Sequence, residues 1–111
     1  MGADNCLLFY GVRFKLMHEE IALCERGEHP HQLKARELRL EHYWGFFLTS
    51  MNEDPQPYLF LGRSLSKLGY EGDLDFEMED AQLRELMCQT REKLNLAGFG
   101  ARLMAQWEPD M

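Results

Sequence analysis

The segment EGDLDFEMED, residues 71–80, decides how the rest of the chain is read. Asp73, Asp75, Glu77 and Glu79 fall on every second position, with Leu74, Phe76 and Met78 between them. A period of two predicts a strand with one face buried and the other in water. The wet face is then a comb of carboxylates, and the three apolar residues anchor it in a core. From Leu68 to Leu83 there are six acidic residues and no Lys or Arg, within a chain whose formal net charge is −7. Outside this stretch the chain is close to neutral.

On the C-terminal side, Asp80 is placed to cap a helix over 81–96. Leu83, Leu86, Met87, Thr90, Leu94 and Ala97 recur at three- and four-residue steps and predict its buried face. Gly98 stops that helix, and Leu103, Ala105 and Trp107 alternate in a last strand. On the N-terminal side, residues 62–72 read as irregular, with SLSKLG as one helical turn. Before them YLFL (58–61) is a strand, TSMNEDPQP (49–57) a loop and residues 40–48 a strand rich in aromatics, so the three form a hairpin. Residues 33–40 fit helix or strand. CLLFYGVRFKL (6–16) opens the chain as a strand, and HEEIALCER (18–26) follows as a short helix closed by Gly27.

The order β-α-β-β-β-α-β, without repeat or boundary, predicts a single α+β domain over residues 1–111. Its sheet is mostly antiparallel with about five strands, two main helices pack on one face, and a ferredoxin-like topology is one candidate. The hydrophobic fraction of 45% and charged fraction of 28% are those of an ordinary globular protein. No run reaches the ~18–20 apolar residues that span a bilayer. The N-terminal residues lack the basic start of a secretory signal, and Cys6 stands where a myristoylation motif requires Ser or Thr. A pI near 5.0 argues against direct contact with nucleic acid or an anionic membrane. Cys6, Cys24 and Cys88 form no CxxC unit and no disulfide framework, which fits a reducing, cytoplasmic setting.

Several chemistries can be weighed against these residues. Alternate side chains of a strand stand about 6.6–6.8 Å apart, so the comb resembles a row of phosphates more than a catalytic pair. It suits the protection of an edge strand by charge, the commoner use of such a row, or recognition of a basic partner. A calcium loop would need a turn with Gly at its sixth position, which DLDFEMED lacks. His18, His29, His31, His42 and Cys24 match no zinc spacing, and His29 and His31 read as exposed turn residues. His42 shares a strand face with Trp44 and Phe46, which makes it either a half-buried His or a base at the rim of an aromatic cleft. No serine has a nucleophile-elbow context, and Cys88 lies off the apolar face of its helix. No catalytic residue, metal or cofactor is therefore expected.

These readings point to a non-enzymatic acidic binding protein, of inhibitor or immunity type, that neutralises a basic protein such as a toxin or a nucleic-acid-acting enzyme. Its expected contact residues are Asp73, Asp75, Glu77 and Glu79, with Tyr43 and Phe47 as aromatic anchors. One alternative is a small enzyme or ligand-binding domain with an aromatic cleft near His42 and Trp44. Another is a structural subunit that self-associates as a homo-oligomer through an apolar edge.

Overall fold

A computed structural model describes residues 5–50, 53–69 and 72–109. Glu71, the first acidic residue of the decisive stretch, lies outside them. The elements are β1 (Asn5–Lys15), a 3-10 turn (His18–Glu20) running into α1 (Ile21–Glu25), α2 (Pro30–Leu38), β2 (Glu41–Phe47), β3 (Gln56–Gly69), α3 (Asp80–Leu96) and β4 (Arg102–Glu108).

The four strands lie in the order β2-β3-β1-β4, and every neighbouring pair is antiparallel. Hence β1 and β2 run the same way, split by β3 and joined through α1 and α2. Likewise β3 and β4 run the same way, split by β1 and joined through α3. This is the split βαβ arrangement of a ferredoxin-like sheet.

Among the described residues the sheet has four strands, not five, because the acidic stretch is not one of them. Its one bridge to the sheet, among the described residues, is the isolated pair Leu68 and Asp73. There Gly69 N–H donates to the Asp73 carbonyl and Asp73 N–H to the Lys67 carbonyl, each at 3.0 Å. These bonds close a turn on the end of β3, after which the chain leaves the sheet. Leu74, expected in the core, is 92% exposed. The pairing capacity is taken up by β3, which continues through the residues read as irregular and leaves no helical turn at SLSKLG. A bulge at Leu65 shifts its register, since Leu8 pairs with Ser66 but Phe9 with Ser64.

Helix limits follow local chemistry. Residues 33–38 are helical, within α2. His29 caps α2, its Nδ1 accepting from His31 N–H at 3.1 Å, while Gln32 Oε1 accepts from His29 N–H at 3.1 Å. This is a reciprocal capping box with Pro30 at the first helical position. The cap of α3 is Glu79 rather than Asp80, which is its first residue and puts a carboxylate at the positive end of the dipole. Thr90 and Leu94 are buried, as the spacing predicts.

There are two cores. Between the helices and the sheet lie Leu16, Cys24, Ala35, Leu40, Leu59, Leu61 and Leu94. On the opposite face lie Leu7, Phe9, Phe47, Tyr58 and Phe60, a cluster with no helix residue in it. Coiling of the sheet encloses this second core. The two sheet edges meet where Leu48 N–H donates to the Trp107 carbonyl at 2.9 Å. Gly11 and Gly62 face each other across β1 and β3 at very close approach: a Cβ on Gly11 would lie 2.1 Å from the Leu61 carbonyl oxygen. Only glycine permits that contact.

Candidate functional site

The acidic segment stands clear of the sheet, between β3 and α3. Asp73, Asp75, Glu77, Glu79 and Asp80 are all exposed, and none joins an ion pair among the described residues. Phe76 and Met78 are half-buried and hold the segment down, whereas Leu74 projects between the first two carboxylates. A shallow groove runs beside Glu77, Met78, Glu79 and Gln82. The carboxylates are tied to two rigid elements, so their placement is constrained even without strand pairing.

The aromatic residues expected to help divide between two roles. Tyr43 is 41% exposed on β2, while Phe47 is 5% exposed beneath the Arg13 guanidinium, 4.1 Å above its ring. Phe47 has no open face to offer a partner. Strand alternation puts Tyr43 and Phe47 on the concave face and His42 and Trp44 on the helix side. Trp44 packs against the helix-side core. A small depression at the edge of β2 takes in Glu41, His42, Tyr43, Ser64 and Lys67 but not Trp44. Burial, and then the charge of Arg36, hold the His42 pKa below its ordinary value.

His29 and His31 are not exposed turn residues. His29 is 5% exposed, and its Nε2 lies 2.7 Å from Glu20 Oε2. Because Nδ1 accepts the cap bond, Nε2 carries the proton and donates it to Glu20. His31 stacks on Phe14 with ring centroids 3.8 Å apart. Both are thereby committed to holding α2 in place. Cys24 is buried, and burial followed by the Glu20 charge raises its thiol pKa. Cys6 is half-buried, and Cys88 is exposed on α3. Among the described residues no three metal-ligating side chains converge.

One polar centre has no counterpart in the sequence reading. Glu108, 7% exposed, accepts from the Tyr58 hydroxyl, from the Tyr43 hydroxyl at 3.3 Å and from Gln106 Nε2 at 2.8 Å. Gln106 Oε1 in turn accepts from Arg13 Nη1 at 2.8 Å. Burial, and then the neighbouring carboxylate, push both phenol pKa values up, that of Tyr58 far up, so both hydroxyls stay protonated donors. In register, Glu108 sits opposite Asn5 and Tyr58 opposite Lys15, the two ends of β1. Only the coiling of the sheet brings them together. The network is satisfied internally and supplies no free nucleophile. The apolar row Leu103, Ala105 and Trp107 masks it in the sequence; the signal that could have found it is the opposite parity of β4, where Met104, Gln106 and Glu108 face inward.

Comparison with family models, with curated proteins and with solved structures gave no match. No helix among the described residues is long and apolar enough to cross a membrane.

Proposed function

We propose that the chain is a non-enzymatic binding protein, of inhibitor or immunity type, that engages a basic protein partner through residues 73–80. The observation that carries this reading is a set of unpaired, exposed carboxylates around a 92% exposed Leu74. Clustered negative charge steers a cationic partner and speeds its encounter. Leu74 adds an apolar contact at the centre of that field. Anchorage by β3 and α3 lowers the ordering entropy lost on binding. A toxin or a nucleic-acid-acting enzyme has the required basic surface, and a cytoplasmic setting belongs to the same reading.

The test is affinity capture from the native host, with the native chain and with a variant carrying Asp73→Asn, Asp75→Asn, Glu77→Gln and Glu79→Gln. The native chain retains a basic protein that the variant loses, and raised salt weakens retention. Equal retention by both chains rules the reading out.

A second reading, self-association, is favoured by one observation. Leu103 and Trp107 are 56% and 55% exposed on one face of the edge strand β4, with Ala105 between them. An exposed apolar stripe suits face-to-face packing against a second copy. Sedimentation across a concentration series detects it: a dimer that Trp107→Lys disperses supports this reading, and a monomer at every concentration removes it.

A further inference from the structure

The segment before β4 opens a second surface of opposite character. β4 begins at Arg102, opposite Gly11 of β1, so Val12–Lys15 have no strand partner on that side. A cleft of about 370 Å³ lies at this divergence, lined by Gly11, Arg13, Gly100, Arg102 and Met104, among others. Its size falls within the ~300–1,000 Å³ range of small-molecule sites.

Register and parity put Arg13 and Arg102 on the same face. Gly11 pairs with Arg102, and Arg13 lies two residues further along β1. Neither guanidinium meets a carboxylate among the described residues. Arg13 spends one nitrogen on Gln106 and stacks on Phe47, which fixes its orientation and leaves the rest of its fork free. Burial lowers the Arg13 pKa, Tyr58 works against that shift, and Arg102, the smallest of the three influences, lowers it, so the two cations lie near each other. Arg13 reaches the buried Glu108 carboxylate only through the Gln106 amide, and Arg102 has no ion-pair partner among the described residues, so two cations border one cleft. The wall beside them is bare: nothing lies within 4 Å of where a Cβ on Gly100 would stand.

We propose that this cleft binds a phosphorylated small molecule, its phosphate held between Arg13 and Arg102. Guanidinium forks match the oxygens of a phosphate in bidentate fashion. Two of them balance a dianion, whereas a carboxylate leaves one charge uncompensated. The space beyond a phosphate accommodates an organic group against Met104. This proposal is independent of the acidic segment, so either can fail alone.

Titration of the ¹⁵N-labelled chain with phenyl phosphate, and in parallel with benzoate, tests it. Phenyl phosphate shifts the amides of Gly11, Arg13, Gly100 and Arg102 saturably, and binds at least about tenfold more tightly than benzoate. Arg102→Glu alters an exposed side chain, so the fold persists while affinity drops at least about tenfold. Gly100→Asp, which puts a carboxylate in open space beside the arginines, weakens binding as well. No saturable shift up to about 10 mM ligand overturns the proposal. So does equal binding of benzoate, or unchanged affinity in Arg102→Glu.

Discussion

At the scale of single residues, the chain separates carboxylates that have partners from those that do not. Glu108 sits among two phenols and an amide; Asp73, Asp75, Glu77 and Glu79 face water. Removing a donor from the first kind leaves a buried acceptor short. Tyr58→Phe therefore lowers stability by about 1–3 kcal/mol in urea unfolding. Tyr43→Phe lowers it by less, under about 1 kcal/mol, because Tyr43 is 41% exposed and water can replace its hydroxyl. Equal effects, or none for Tyr58→Phe, would contradict the network as described. Beyond the parity of Gln106 and Glu108 on β4, the network was not legible in the sequence, since Tyr58 and Glu108 are separated by 50 residues and meet only through the curvature of the sheet.

At the scale of elements, α2 and β2 confer a pH dependence whose sign is fixed. Burial, and then the neighbouring His29 imidazole, hold the His31 pKa below its ordinary 6.5. His42 is lowered by burial and then by Arg36. The folded state thus binds these protons more weakly than the unfolded chain does, so stability falls with pH. The contribution is fully present above 6.5 and is lost as pH falls through the lowered folded values. Glu20, lowered by the Met17 N–H and then by the His29 hydrogen bond, adds a second loss further down, beginning below 4.5. Melting temperature measured from about pH 7.5 to 5 should decline, and His31→Phe combined with His42→Gln should flatten that decline. A flat or rising profile for the native chain would overturn the assignment.

The elements also show where pattern reading succeeds and why it stops. The first strand, the aromatic hairpin, α3 and the last strand each carry a local period, and each is present. The sequence pattern ends β3 at Leu61 because the bulge at Leu65 slips its parity. Leu59 and Leu61 face the helices, and after the extra residue Ser66 and Leu68 take that side. The acidic stretch fails in the opposite sense. Its alternation is clean, but a strand also needs a free neighbour. From Asn5 to Gly11 β1 is paired on both sides, and the edges β2 and β4 turn toward each other. Non-local pairing decided the matter, and no period in residues 73–79 records it.

At the scale of the whole molecule, the four strands and three helices of the described residues enclose two cores, one under the helices and one inside the coiled sheet. The same curvature puts the arginine cleft where β4 diverges from β1. The acidic segment is carried outside, tied at Gly69 and again at Glu79. That the carboxylates stand off the sheet, free to meet a partner, is what amide hydrogen exchange tests most directly. Backbone amides of residues 74–79 should exchange orders of magnitude faster than those of Phe9, Phe60 and Leu61, which exchange only by global unfolding. Protection of residues 74–79 comparable to that of β3 would mean a fifth paired strand with Leu74 inside, and would remove the recognition surface.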